Sequence, residues 1–138
     1  MTTEIYFKNL ICPSSLLMIA GWYLVYKVIR MVVPKPTTFE TPDKPGAKQR
    51  QIGDYYNCWL SLIHAILMLL MASIALLTTE DLTWGRIATP WQFLTCQLSF
   101  NYFLVDSYIG MFELKTMDMM MGVHHLIMLS ACGHCVLL

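Results

Sequence analysis

The sequence contains little charge and no surplus of either sign. Charged residues make up 13% of the 138 residues, and nine Lys and Arg balance nine Asp and Glu. Soluble domains carry about 25% charged residues, so this composition argues against a soluble globular protein. The zero net charge also argues against a nucleic-acid partner and against broad adhesion to anionic lipid.

The sequence also lacks an Asn-x-Ser/Thr glycosylation signal, and its cysteines do not indicate a disulfide framework. The five cysteines lie within apolar segments or at their edges, where cysteine behaves mostly as a small hydrophobic residue. They are Cys12, Cys58, Cys96, Cys132 and Cys135.

Apolar residues, in contrast, are abundant, at 57% of the chain. A hydrocarbon core about 30 Å thick needs roughly 20 mostly apolar helical residues to cross it. Four segments approach that length, which predicts a single all-α integral membrane bundle with a proline-rich, irregular connector at residues 34–54. The predicted spans are residues 13–33, 55–77, 91–112 and 117–138.

The basic residues are distributed unevenly over the loops. Six of the nine lie between Lys27 and Arg50, and a seventh, Lys115, lies in the turn between the third and fourth spans. Only Lys8 and Arg86 fall on the opposite side. The positive-inside rule therefore places the 34–54 connector and the 113–116 turn in the cytosol or its equivalent, with both termini on the other side.

Polar and small residues recur at three- and four-residue steps in two of the spans, which places them on one face of each helix. Such residues are expensive in lipid and usually face protein or a cavity. The predicted inward faces comprise Asn57, Ser61, His64, Met68, Ala72 and Ala75 in the second span and Thr95, Ser99, Tyr102, Asp106 and Gly110 in the third.

Four ionisable side chains are predicted to lie at one depth. Asp106 precedes Lys115 by nine residues, and His124 follows it by nine. His64 lies nine residues beyond Tyr55, where the second span enters from the same side. A helical rise of 1.5 Å per residue then places His64, Asp106, His124 and His125 in one layer, roughly 10 to 14 Å inside the boundary. Adjacent helical residues point about 100° apart, so one of the two adjacent histidines faces the pocket, and the sequence leaves open which.

This layer has two main interpretations. Asp106 next to a histidine can orient a neutral imidazole as a base or stabilise an imidazolium, which is acid–base equipment. Alternatively, the groups form interhelical hydrogen bonds of about 0.6 kcal/mol each, without chemistry. A nitrogen-and-oxygen metal or haem site is a third reading, but no two histidines lie four apart on one helix, and no metal is predicted.

The motif Cys132-Gly-His-Cys135 has the spelling of a disulfide-isomerase active site. Its context differs, because it closes an apolar helix and no βαβ pattern surrounds it. The partial negative charge at a helix C-terminus also disfavours a thiolate. We therefore expect no redox role.

The chain resembles the TLC family of multi-pass membrane proteins, which includes translocating-chain-associating proteins and longevity-assurance ceramide synthases. Three segments carry the resemblance, in the family's order: NCWLSLIHAILMLL, LSFNYFLVDSYIGMF and MDMMMGVHHLIMLSA. The resemblance implies an endoplasmic-reticulum bundle whose polar pocket meets a lipid, with His64, Asp106, His124 and His125 at the matching positions. The family's later helices have no counterpart after Leu138, so we expect a C-terminally truncated member.

The sequence thus predicts a protein that binds or senses a membrane lipid, without a cofactor, through Ser61, His64, Tyr102, Asp106 and His125. Two alternatives remain open. The chain can be a subunit that packs against other transmembrane chains or its own copies, in the reticulum or the mitochondrial inner membrane. It can also be a ceramide-synthase-like N-acyltransferase with acyl-CoA as co-substrate. The resemblance then implies a histidine as general base with Asp106 orienting it, and the catalytic candidates are His64, Asp106, His124 and His125.

Overall fold

The computed structural model describes residues 13–36, 47–78, 89–115 and 117–137, and these form four helices with no strand among them. The predicted all-α class is confirmed. Predictions concerning Lys8, Cys12, Arg86 and the middle of the connector lie outside the described residues. The helices are α1 (Pro13–Val32), α2 (Ala47–Thr78), α3 (Pro90–Tyr108) and α4 (Met119–Leu137), and a π-helix (Ile109–Glu113) continues α3.

The start of α3 is fixed by a capping box. The Thr89 side chain accepts a hydrogen bond from the Gln92 backbone at 3.3 Å, and the Gln92 side chain accepts one from the Thr89 backbone at 2.9 Å. Pro90 occupies the first turn, where its missing N–H would have no intrahelical partner. The Thr89-Pro90 pair is therefore the start signal of α3.

A tight turn joins α3 to α4. The π-helix ends with a bond from the Leu114 N–H to the Ile109 carbonyl at 2.9 Å. Lys115 then takes a left-handed conformation with φ of 51°, which reverses the chain. The Asp118 carboxylate accepts from the Met121 N–H at 2.8 Å and so caps the first turn of α4. The turn predicted between these two helices thus lies at Leu114 and Lys115.

The second helix is longer than the sequence analysis predicted. It begins at Ala47, so residues 47–54 are helical instead of belonging to an irregular connector. The physical reason is local: the last proline of the connector is Pro45, and the Ala-Lys-Gln-Arg-Gln segment that begins at Ala47 consists of strong helix formers.

Helix α3 is the central element, because it contacts each of the other three helices, and α1 also contacts α2. Unusually for an apolar chain, α3 buries several polar side chains, and their partners lie on neighbouring helices or one turn back. The Gln97 amide donates to Ser15 of α1 at 3.1 Å, and the Asn101 amide donates to the Gln97 carbonyl at 2.9 Å. The buried polar residues of α3 are Gln97, Ser99, Asn101 and Asp106.

The outer surface of the bundle is strongly apolar. Leu17 of α1 is 73% exposed, Leu69 and Leu77 of α2 are 70% and 85% exposed, and Met119 of α4 is 85% exposed. By length and composition, two helical segments within the described residues are able to cross a membrane, Pro13–Val32 and Gln51–Thr78. The molecule therefore places polar groups inside and apolar groups outside.

Candidate functional site

The centre of the bundle contains a buried pair formed by Asp106 of α3 and His125 of α4. The His125 Nε2 atom lies 3.1 Å from Asp106 Oδ2, and the two side chains are 6% and 5% exposed. The other imidazole nitrogen, Nδ1, lies 2.9 Å from the Ser107 hydroxyl. His125 thus bridges two consecutive residues of α3, and both ring nitrogens have a partner.

This bridge fixes what His125 can do. As a neutral ring it donates from Nε2 to the carboxylate and accepts a hydrogen bond from the Ser107 hydroxyl at Nδ1; as an imidazolium it donates to both. Both distances lie within hydrogen-bonding reach of 2.6–3.2 Å, the range in which a positioned base takes a proton. The order hydroxyl, imidazole, carboxylate is therefore suited to proton transfer.

Tyr102 extends the pair toward α2. Its hydroxyl donates to Asp106 Oδ2 at 3.2 Å and lies 3.0 Å from the Ser61 hydroxyl of α2. Ser61 and Tyr102 were both predicted as ligand contacts, and the structure places them in the same network as Asp106 and His125. The network therefore connects three helices.

His64 joins this network through its ring face. The His64 and Tyr102 rings are stacked, with centroids 3.8 Å apart and planes 7° apart. The His64 Nε2 atom lies 3.3 Å from the Ser99 hydroxyl. His64 thus lies in the predicted layer, but its polar contact is to Ser99 and not to Asp106.

Two aromatic side chains that the sequence pattern does not indicate surround these rings. Trp22 of α1 makes T-shaped contacts with His64 and with Tyr102, at centroid distances of 5.7 and 5.3 Å. Phe103 of α3 makes T-shaped contacts with His64 at 5.6 Å and with His125 at 5.5 Å. All four helices thus contribute to the cluster.

The structure decides between the two adjacent histidines. His125 is buried and faces Asp106. The His124 side chain is exposed, although its ring remains 6.0 Å from Phe103 and 5.8 Å from His125, centroid to centroid. His125 is the inward histidine, and His124 lies at the edge of the site.

One carboxylate oxygen at the centre has no hydrogen-bond partner. Asp106 Oδ2 interacts with His125 and Tyr102, but Asp106 Oδ1 is buried and unpaired within the described part of the protein. A buried acceptor without a partner is costly and uncommon in folded proteins. It marks the position at which a water molecule or the donor group of a ligand is best accommodated.

Sequence reasoning missed Ser107 and Trp22 as members of this cluster. Ser107 follows Asp106 directly, so the helical face periodicity assigned it to another side of α3. It was recognisable only from its depth, which matches that of His125. Trp22 looked like an ordinary apolar residue of the first span, and its contact depends on how α1 packs against α3.

The other motif from the sequence, Cys132 to Cys135, lies in the last turns of α4. Gly133 is buried there, and a Cβ at this position would come within 3.3 Å of Phe100. The Cys135 side chain lies outside the described residues.

Over the described part of the chain, no three His, Cys, Asp or Glu side chains are grouped so that they could hold a metal ion.

Comparison with protein-family models, with curated proteins and with solved structures gives no match for this chain.

Proposed function

We propose that this protein is an integral membrane protein of the TLC type that crosses the membrane four times and binds or senses a lipid at the His64, Tyr102, Asp106 and His125 cluster. We place it in the endoplasmic reticulum, with the mitochondrial inner membrane as the alternative. The observation that carries the proposal is the buried, half-paired carboxylate of Asp106 beside His125.

The membrane location rests on the outer surface. Soluble monomers rarely expose contiguous apolar patches beyond a few hundred Å², whereas α1, α2 and α4 expose large apolar side chains along their lengths. The two helices that are apolar enough to span a bilayer support the same conclusion. The remaining two spans, at α3 and α4, are proposed from the sequence. Their packing with α1 and α2 as one bundle supports the proposal.

The ligand proposal rests on the free-energy cost of placing the polar cluster inside a membrane. Ionisable groups inside membrane spans are expensive, pair with one another, and often mark ligand or proton pathways. Asp106 Oδ1 still lacks a donor after His125 and Tyr102 have bonded to Oδ2. A lipid with a hydroxyl, amide or amine near its polar end supplies such a donor, as sphingoid bases and ceramides do.

A second candidate function is acyl-CoA-dependent N-acylation, which the bridge between Ser107, His125 and Asp106 favours. His125 Nδ1 would accept the proton of the amine through the Ser107 hydroxyl, as the amine nitrogen forms a bond to the thioester carbonyl carbon. The carbon–sulfur bond then breaks, and coenzyme A leaves and is protonated as the thiol. Asp106 would orient the ring and stabilise its protonated form.

A role as a subunit of a larger membrane complex is a third possibility, because α2 presents small residues outward. Ala65, Ala72 and Ser73 are exposed on this helix, so the predicted inward position of Ala72 is wrong. Small residues allow close helix packing in membranes. Under this proposal the protein would co-purify with other transmembrane chains in fixed stoichiometry.

The proposed topology can be tested by glycosylation mapping, because the chain has no glycosylation signal of its own. An Asn-Ser-Thr acceptor on a flexible spacer is fused ahead of Met1 in one variant and inserted between Thr41 and Pro42 in another. We expect modification of the first in reticulum membranes and not of the second, as a mobility shift removed by a glycosidase. Modification of the inserted acceptor alone would contradict the orientation.

Lipid binding can be tested with the two adjacent histidines as a matched pair. We expect His125→Ala to reduce the lipid that co-purifies with the protein, measured by mass spectrometry, by tenfold or more, because it removes the partner of Asp106 (about 1.4 kcal/mol per tenfold). His124→Ala removes an exposed ring from the same helix and should leave the bound lipid unchanged.

Asp106→Asn serves as the second variant, because it retains the shape of the side chain and removes its charge. Size-exclusion profiles and thermal unfolding in detergent check that each variant is folded. A folded His125→Ala protein that retains the wild-type amount of the same lipid would refute the proposed site, as would equal losses in His124→Ala and His125→Ala.

The N-acylation candidate has its own test. Purified protein is incubated with acyl-CoA and a sphingoid base, and the amide product is quantified by mass spectrometry. If the candidate is right, the product forms in wild type and disappears when His124→Ala and His125→Ala are combined. No product with wild type, or equal product with the double variant, would eliminate this candidate and leave the binding proposal standing.

A further inference from the structure

A groove of about 450 Å³ lies between α1 and α3, on the outside of the bundle and apart from the histidine cluster. Leu104 and Tyr108 in its wall are 37% and 51% exposed, so the groove is open to the surroundings of the protein. Apart from two tyrosine hydroxyls, its side chains are apolar. The lining residues are Ile19, Ala20, Tyr23, Leu104, Val105 and Tyr108.

The two helices that form the groove run in parallel. Ser15 contacts Gln97 near their starts, and Tyr23 and Lys27 contact Glu113 beyond the end of α3. The groove therefore has a defined direction, from Ile19 toward Tyr23 and then toward the last two turns of α1.

A cluster of charges lies at the far end of this groove. Glu113 accepts from the Tyr23 hydroxyl and from Lys27 Nζ at 3.4 Å, and Arg30 Nη1 lies 3.9 Å away. The side chains of Lys27 and Arg30 are 40% and 46% exposed, whereas that of Glu113 is 20% exposed. Two cations and one carboxylate leave one positive charge, and the cations are the more exposed groups.

The distance between the apolar groove and the two cations matches the distance between the acyl chain and the headgroup of an amphiphile. Lys27 lies eight residues beyond Ile19, which is about 12 Å along a helix. Lys27 and Arg30 also lie in the last two turns of α1, on the side that the basic residues assign to the cytosol, where such side chains reach the headgroup layer. A chain lying in the groove would thus bring its headgroup to these two cations.

The lining and the charge of the groove indicate the class of occupant. Its side chains are apolar along their length, as an acyl chain requires, and the cations lie at one end. The net positive charge selects an anionic headgroup, since basic residues at the cytosolic boundary attract anionic lipids.

We propose that this groove is a binding site for one anionic phospholipid, with an acyl chain between α1 and α3 and the phosphate against Lys27 and Arg30. The site rests on the membrane location in the proposed function, but it is separate from the histidine cluster. The phospholipid in the groove stabilises the packing of α1 on α3. The lipid at Asp106 is a different molecule, the one that the proposed function concerns.

The test measures binding of phosphatidylglycerol and phosphatidylcholine with identical acyl chains to the full-length protein in detergent, by native mass spectrometry and thermal stabilisation. We expect phosphatidylglycerol to bind more tightly. The double variant Lys27→Gln/Arg30→Gln should weaken its binding by on the order of tenfold and leave phosphatidylcholine unchanged. Lys35→Gln, an exposed cation just beyond α1, is the charge control and should have little effect.

A second variant keeps every charge and fills the groove. Ala20→Phe places a ring where the acyl chain would lie, and we expect it to weaken phosphatidylglycerol binding, whereas Ala65→Phe on the exposed face of α2 should not. Equal affinity for the two lipids, full binding by Ala20→Phe, or a co-purifying transmembrane chain at this groove would overturn the proposal. His125→Ala should leave phosphatidylglycerol binding intact. A failure of the groove proposal can therefore be distinguished from a failure of the proposed function.

Discussion

A carboxylate inside an apolar bundle is stable only if other groups pair with it, and the contacts of Asp106 meet this requirement from several directions. His125 of α4 and Tyr102 of α3 both bond to Asp106 Oδ2. Tyr102 also stacks on His64 of α2, and Trp22 of α1 makes T-shaped contacts with both rings. Each helix therefore contributes a side chain to the surroundings of this one carboxylate, and the positions of α1, α2 and α4 around α3 depend on it.

The same constraint explains the distribution of polarity over the molecule. Gln97, Ser99 and Asn101 join Asp106 on α3, so this helix occupies the centre, where the other helices supply partners or shield it. The outward faces of α1, α2 and α4 are left to apolar side chains. The two proposed lipid sites use the two parts of this arrangement, one at the buried polar cluster and the other at the surface groove that ends in cations.

Much of this arrangement was predictable from the sequence, because short-range rules determine it. The hairpin at Leu114, the Thr89 cap and the common depth of Asp106 and the histidines follow from helical rise and end signals. The choice between His124 and His125 depends on the rotation of α4, which a uniformly apolar helix does not reveal. The contacts of Ser107 and Trp22 and the groove between α1 and α3 depend on interhelical register, and no local pattern encodes it.

The central claim is that Asp106 and His125 act as one unit in lipid binding. A double-mutant cycle tests it most directly, with Asp106→Asn, His125→Gln and their combination compared for bound lipid by quantitative mass spectrometry. Groups that act together give strongly non-additive losses. The combined variant should therefore lose no more lipid than whichever single variant loses more. Independent losses that add in free energy, or wild-type lipid in all three folded variants, would contradict the account.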